Sequence, residues 1–286
     1  MTKIIGLLLV TPLLLLTGFF LFYPLINSIL TSFFDTTNLA FFNNFVGLKH
    51  YYHLTFNPTF KLVLQNTFIL VTGTVGGSFI IAFFIALLLT RQFPGRAIVR
   101  GLVVIPWVVP NVVAALSWRW VFDERYGIIN AILTNLKLSA PINWLGEPFW
   151  AFVALIIVSI WKATPVMTVF LLAGLQAIPK ELYEAATIDG AGAFQMFRYV
   201  TLPQMRRIIL IVLTMETIWN FNAFDIIWIL TRGGPANSTH TLATFVYQQA
   251  FQLFNTGLAA ATGVLMLVIL LAITGLYLRL LKEEKL

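Results

Sequence analysis

Polar positions are scarce along this chain, and they leave six long apolar runs between them, at 4–30, 62–89, 98–122, 149–175, 208–230 and 257–281. About 20 apolar residues at a rise of about 1.5 Å each cross a hydrocarbon core of about 30 Å, so each run predicts a membrane-spanning helix. The first run follows Lys3, as a secretory signal would. It is too long for one, carries Pro12 and Pro24 and lacks a small-x-small cleavage site, so it predicts a retained helix. The pattern gives an all-α integral membrane protein. It divides into a first helix with an external loop over 1–60, a five-helix core over 61–281 and a short tail at 282–286.

Composition agrees with that class. With 59% hydrophobic and 10% charged residues, a mean hydropathy of +0.89 and 26 Phe, there is too little polar surface to coat a soluble globule. A net charge of +7 in such a chain marks cytoplasmic loops, so no nucleic-acid partner is expected. The absence of Cys excludes disulfides, thiolate metal sites and cysteine nucleophiles, and three His residues (His50, His53, His240) in loops give no metal site.

The distribution of Lys and Arg orients the spans. Lys3, Arg91, Arg96, Arg100, Lys180, Arg198, Arg206, Arg207, Arg279, Lys282 and Lys285 fall on one side, against Lys49, Lys61, Arg125, Lys137 and Arg232 on the other. By the positive-inside rule both termini and the loop at 177–206 are cytoplasmic, in a multi-pass protein of the cell membrane. Trp118, Trp120, Tyr126, Trp144 and Trp150 cluster at the predicted outer ends, where an interfacial aromatic belt belongs.

Residues 181–203, ELYEAATIDGAGAFQMFRYVTLP, form a charged, glycine-punctuated insert between two apolar runs. Pro179 suits a first helical turn, Glu181 and Glu184 complement its positive end, and Asp189-Gly190 is a turn pair that stops it. A second short helix follows from about Gly192, closing before Pro203. Phe194 and Phe197 are expected on one side and Met196 and Val200 on another, more apolar surface than a free loop needs. On the residues alone three readings stay open: packing on its own helix ends, an interfacial helix on membrane lipid, or docking into a cytoplasmic partner.

The stretch EAATIDGAGAFQMFRYVTLP resembles the EAA loop of membrane subunits of ATP-binding-cassette importers, with Glu184, Ala185, Ala186, Asp189, Gly190, Ala191, Leu202 and Pro203 at matching spacing. YPLINSILTSF, FVGLKHYYHL, VIPWVVPNVVAALSWRWVFDERYGIIN and LTRGGPANSTHTLATFVYQQAF extend the likeness to the larger-type permease partner of the maltose and multiple-sugar class. One departure is Arg207, where that family often has a second proline. The resemblance implies a type I importer permease fold, uptake of a carbohydrate by alternating access, and no catalysis in this chain. It implies a second, different permease subunit, two cytoplasmic ATPases that bind the ATP and Mg²⁺, and an extracytoplasmic sugar-binding protein. Glu184, Ala185, Ala186, Asp189, Gly190, Phe197 and Pro203 would then couple the chain to an ATPase. No stretch fits G-x-x-x-x-G-K-[ST], so the usual route to nucleotide hydrolysis is missing here.

Ionisable groups inside spans cost about 2.5–3.5 kcal/mol each at a helix centre, and they usually face a bundle interior or water. Lys162, beside Pro165, and Glu216, with Asn220 at i+4 and Ala223 at i+7, form the candidate substrate pathway together with the rings of Trp161 and Trp219. Two readings stay open: these residues meet a ligand, or Lys162 and Glu216 form an ion pair that fixes helix packing. Asp225 lies nearer the outer end, and Arg119 snorkels to the interface. Neutral oligosaccharides, monosaccharides, polyols and anionic derivatives all fit, with Lys162 the one pointer to the last. Gly73–Ser78, GTVGGS, is expected to allow close helix packing, and TRGGPANS to form a tight turn or a surface for the binding protein. Rival classes are an ion-coupled secondary transporter, with Glu216 or Asp225 as a proton site, and a membrane scaffold or sensor without flux.

Overall fold

Backbone groups in lipid find no water, so a chain this apolar satisfies them within helices. The computed structural model describes residues 2–36 and 44–282, with side chains from residue 10 onward. Lys285 and the tail at 283–286 lie outside the described residues.

In chain order the elements begin with α1 (Thr2–Thr17), a π-helical turn (Gly18–Phe22) and α2 (Tyr23–Thr31). Next come β1 (Phe34–Asp35), β2 (Asn44–Phe45), α3 (Lys49–Phe56) and α4 (Pro58–Thr90). Then α5 (Arg96–Val108), α6 (Asn111–Val121), α7 (Ile128–Asn135) and α8 (Pro148–Gln176) follow. The remainder is α9 (Lys180–Ile188), α10 (Ala193–Met196), a π turn (Phe197–Thr201), α11 (Leu202–Phe221), α12 (Asp225–Leu230), α13 (Leu242–Tyr247), a π turn (Gln248–Gln252) and α14 (Thr256–Lys282).

Among the described residues, four continuous helices are long and apolar enough to cross a membrane: Val10–Thr31, Pro58–Thr90, Pro148–Gln176 and Thr256–Lys282. The expected span at 98–122 is two helices, α5 and α6, bent by 98°. Pro110 supplies no N–H, and Val109 before it is extended at φ −63°, ψ 126°, the region that a following proline favours. The expected span at 208–230 is likewise broken, into α11 and α12, at residues 222–224.

The chain forms two units. One comprises Met1–Lys61 and Leu242–Ile269. Within it β1 and β2 pair antiparallel with Phe34 opposite Phe45, Ser32 Oγ meets the Tyr51 hydroxyl at 2.7 Å, and His50 Nε2 lies 3.1 Å from the Phe34 carbonyl. Its 10–31 helix has none of its apolar window buried within the chain.

The other unit, Leu62–Thr241 and Leu270–Leu286, holds the core of the family-like segment. Buried Leu155, Val158 and Ala154 of α8 pack with Ala115 of α6, Phe122, Trp144 and Ile227 of α12. The GTVGGS stretch does what small residues allow. A Cβ on Gly73 would lie 3.3 Å from Ile156 Cδ1, and one on Gly77 would overlap Ile160, whose Cγ1 would be 3.1 Å away. Thus α4 and α8 meet backbone to side chain, and Ser78 Oγ reaches Met167 Sδ at 3.8 Å beside that contact.

The segment after α6 is an ordered unit that periodicity does not signal. Buried Asn130 donates to the carbonyls of Glu124 and Ile142 at 3.0 and 2.8 Å, and its Oδ1 accepts from the Ile142 N–H at 3.1 Å and the Trp144 indole at 3.0 Å. Backbone N–H groups of Tyr126 and Arg125 hold the Asp123 carboxyl below its ordinary range.

Gly77→Val should overpack the α4–α8 contact and cost about 1–3 kcal/mol. Gly76, whose Cβ position has nothing within 4 Å, gives the control. Thermal unfolding of the purified membrane protein should show Gly77→Val well below Gly76→Ala, with Ile160→Ala recovering part of the loss.

Candidate functional site

Two broken helices and one continuous helix meet around a cavity of about 370 Å³. From α8 come Ser159, Lys162, Ala163 and Val166, at i, i+3, i+4 and i+7, one face of a helix. Glu216, Trp219 and Asn220 come from the last turns of α11, Asn222 to Phe224 from the break, and Asp225 from the start of α12. Trp107 and Asn111 flank the bend between α5 and α6.

The bend explains where Lys162 goes. A helix that ends inside a membrane leaves its last carbonyls without donors. Lys162 Nζ donates to the carbonyls of Pro106 at 3.0 Å, Trp107 at 3.1 Å and Val109. An ammonium has three protons, and here each has an acceptor at the negative end of α5.

Glu216 is buried, 3% exposed, and Asn220 one turn later donates both to its main-chain carbonyl at 2.9 Å and to Oε2 at 3.1 Å. Asn222 donates to the Ile218 carbonyl at 2.8 Å, diverting the backbone where α11 stops. Asn111 donates to Asp225 Oδ2 at 3.1 Å, tying the bend of the first broken helix to the start of α12.

The candidate pathway residues divide accordingly. Lys162, Glu216, Trp219, Asn220 and Ala223 line the one cavity. Trp161 does not: it faces an apolar pocket with Ile81, Ile157 and Pro165 and meets Trp118 edge to face at 5.6 Å. The alternative of a Lys162–Glu216 ion pair is not found among the described residues, because carbonyls take the ammonium and Asn220 takes the carboxylate. Sequence reasoning missed Asn111, Asn222 and Trp107. The run of asparagines after Glu216 was a usable signal, while Trp107 and Asn111 lay in a stretch expected to be one straight helix.

In the insert, α9 ends at Ile188 and Gly190 has φ +78°, the left-handed turn that its sequence context suggests. The second helix does not close before Pro203. It widens into the π turn Phe197–Thr201 and continues into α11, where Pro203 sits in the first turn and its missing N–H leaves nothing unmade. Phe197 turns inward to Phe83, ring centroids 5.9 Å apart, while Phe194 is 74% exposed. Tyr183 and Thr201 close the insert with a hydroxyl pair at 2.9 Å. Glu184, Ala185, Asp189, Gly190 and Pro203 are exposed and Ala186 is half-buried.

Between α12 and α13, TRGGPANS is a tight turn with positive φ at Arg232, Gly233, Ala236 and Asn237. Asn66 Nδ2 ties it down by donating to the carbonyls of Asn237 and His240 at 3.2 and 3.1 Å.

Residues 78–283 match the family model described as binding-protein-dependent transport system inner membrane component. The chain belongs to that family. Among its relatives, the trehalose/maltose transport system permease protein MalF of Thermococcus litoralis is 36% identical over 278 residues, covering 96% of this chain and 92% of that protein. The sulfoquinovosyl glycerol transport system permease protein SmoG of Agrobacterium fabrum is 34% identical over 285 residues, 99% of this chain and 92% of its own. A bacterial alginate ABC transporter, solved in complex with an alginate pentasaccharide-bound periplasmic protein, superposes with a TM-score of 0.84 at 22% identity, over 96% of this chain and 93% of that one. This family member therefore has the type I importer permease fold and is a multi-pass membrane protein, as its sequence leads one to expect.

Lys162→Met keeps the stem and removes the donors, leaving carbonyls unmatched at the bend. It should cost about 1–3 kcal/mol per group left buried and lower the yield of assembled protein. Adding Glu216→Gln should not restore it, since the two side chains are not partners. Unfolding measured across the cycle of two single variants and the double should give a coupling within about 0.5 kcal/mol of zero.

Proposed function

We propose that the chain is the permease subunit of an ATP-driven carbohydrate importer, forming half of a translocation pathway beside a second, different permease chain. The observation that carries this reading is a cavity walled by carboxylate, amide and indole groups among the spans of a chain from this family. Hydroxyl-rich ligands need such hydrogen-bonding groups and aromatic faces. The transport names of its relatives, trehalose/maltose and sulfoquinovosyl glycerol, support a carbohydrate cargo.

In this reading an extracytoplasmic sugar-binding protein delivers the ligand, and two cytoplasmic ATPases, which hold the ATP and Mg²⁺, drive the cavity between inward-facing and outward-facing states. The insert at 177–206 is the coupling element. Glu184, Ala185, Ala186, Asp189 and Gly190 shape its seat in an ATPase cleft, and Phe197 and Pro203 anchor it to this chain. Exposed Leu182, Ile188, Phe194 and Tyr199 support a docking role, because they give the insert an apolar surface that its own chain leaves open. Both termini are cytoplasmic. Reconstitution with the partner permease, ATPases and binding protein tests the whole: one or more carbohydrates should stimulate ATP hydrolysis and be taken up, and a transporter indifferent to every carbohydrate would refute it.

Gly190 gives a narrower test. Its Cβ position is open space, so Gly190→Val acts through the backbone alone. Uptake should fall at least several-fold at unchanged membrane level, whereas Gly190→Asn, which tolerates positive φ, should retain more.

Orientation is checked separately in this Cys-free chain. A cysteine at exposed Gln195 should react with an impermeant thiol reagent only from the cytoplasmic side, and one at exposed Asn237 only from outside.

A further inference from the structure

A second cavity lies at the end of the spans that adjoins the insert, between the start of α5 and the end of α8. It is a groove of about 180 Å³ walled by Leu89 of α4, Val103 and Val104 of α5, and Val169 and Leu172 of α8. Thr168 also lines it, but its hydroxyl donates to the Thr164 carbonyl of its own helix at 2.8 Å. Charged and amide groups gather only at the end nearest the insert, where Arg100 and Gln176 form the rim. With its amide oriented by its hydrogen bonds, Gln176 accepts from Arg96 Nη2 at 3.1 Å and from Arg100 Nη2 at 3.2 Å, so both guanidinium groups meet at one atom. Their charge is unbalanced. Neither arginine has a carboxylate partner among the described residues, and the buried Nε of Arg96 has no hydrogen-bond partner. The first turn of α5 carries no acidic residue, and cations at the start of a helix meet its positive pole, the unfavourable arrangement.

We propose that this groove binds an anionic phospholipid from the leaflet on the insert's side, with its phosphate at Arg96 and Arg100 and one acyl chain in the apolar furrow. A guanidinium presents five N–H donors in a planar fork that suits phosphate oxygens, and Gln176 takes only one from each while fixing the two side by side. A phosphate supplies what the chain leaves open: negative charge at the positive end of α5 and acceptors for the remaining donors. The apolar walls decide between a lipid and a soluble anion. From Gln176 to Val169 is about 10 Å of helix, which takes the groove well into the roughly 15 Å that one leaflet contributes to a hydrocarbon core of about 30 Å. A soluble phosphate fills the rim and leaves that length bare, with Val169 49% exposed. An acyl chain tethered to the phosphate covers it. Scattered interfacial arginines attract any anionic surface, whereas two that share one amide oxygen at the mouth of an apolar furrow between helices select a single molecule.

The test uses the assembled transporter in detergent, with its partner subunits, titrated with lipid and read by native mass spectrometry. Three probes separate the sources: dioleoyl phosphatidylglycerol, dioleoyl phosphatidylcholine with the same chains, and glycerol 3-phosphate as the phosphate alone. The first phosphatidylglycerol should bind at least about tenfold more tightly than phosphatidylcholine, and an excess of glycerol 3-phosphate should not displace it. Arg96→Gln together with Arg100→Gln should weaken phosphatidylglycerol at least about tenfold. Arg91→Gln, which removes the same charge just after α4, should change it less than about twofold. Ala173→Phe, at an exposed position on the groove wall, should weaken it several-fold with both arginines in place. If the double variant does not assemble, Ala173→Phe and the three probes decide. Equal affinity for the two lipids, or displacement by glycerol 3-phosphate, overturns the inference. So does an Arg91→Gln loss as large as that of the double variant, which marks diffuse surface charge, and so does unchanged binding in every variant, which marks a groove covered by a partner subunit.

Discussion

A helix that stops inside a membrane must find donors for its last carbonyls, and in this protein a single ammonium supplies them. Lys162 reaches across from α8 to the end of α5 and takes the carbonyls of Pro106, Trp107 and Val109. Without those bonds the 98° bend between α5 and α6 would leave three backbone carbonyls without these donors. With them, the bend is a fixed corner. Everything on the cavity's near wall depends on it: Trp107 precedes the corner, Asn111 follows it, and the Asn111–Asp225 bond fastens the second broken helix to the first.

The second break is made differently. No proline interrupts residues 220–225; instead Asn220 and Asn222 turn their amides back onto the carbonyls of Glu216 and Ile218, so the helix loses its regular continuation while its backbone stays bonded. The same economy explains why Glu216 is tolerated at 3% exposure: one carboxylate oxygen has an amide from its own helix and the other faces open cavity. Two breaks with two chemistries converge on one space, and a straight helix at either place would have filled it with apolar side chains.

Much of this was legible in the residues because the signals are local. Length and hydropathy located the spans, GTVGGS marked the α4–α8 contact that Gly73 and Gly77 make, and Asp189-Gly190 marked a turn with positive φ. The stripe Glu216, Asn220, Ala223 marked the cavity's far wall. What stayed hidden was either rotational or distant. Trp161 follows from geometry after the fact, since adjacent helical residues differ by about 100° and cannot share a face with Lys162. Phe194 and Phe197 are three helical positions apart and not in register, so Phe83 covers one ring and leaves the other exposed, and the sequence does not say where Phe83 lies. The partners of Lys162 are main-chain oxygens 53 to 56 residues earlier. Side-chain identity says nothing of where a backbone carbonyl has been left without a donor, so the ammonium's natural partner in the sequence was a carboxylate.

The placement of these features along the helices joins the two sites. From Lys162 to the end of α8 is about 21 Å of helix, and from the start of α11 to Glu216 is about 21 Å as well. Between the far ends of those two helices lies the insert, α9 to the π turn, held by Tyr183 against Thr201 and by Phe197 against Phe83. Close packing of α8 on α11 at Gly174, where a Cβ would come within about 3.0 Å of Ile208 and Met205, leaves little room for one helix to slide on the other. On the proposed reading, a push on the insert is therefore carried by two helical segments of equal length that share a tight contact, and it arrives at the turns bearing Lys162 and Glu216 together. A rigid pair moves its cavity wall as a unit. On that reading the compliant places are the breaks at 109–110 and 222–224, where the regular helical ladder is interrupted and side chains of Lys162, Asn220 and Asn222 add bonds to backbone carbonyls.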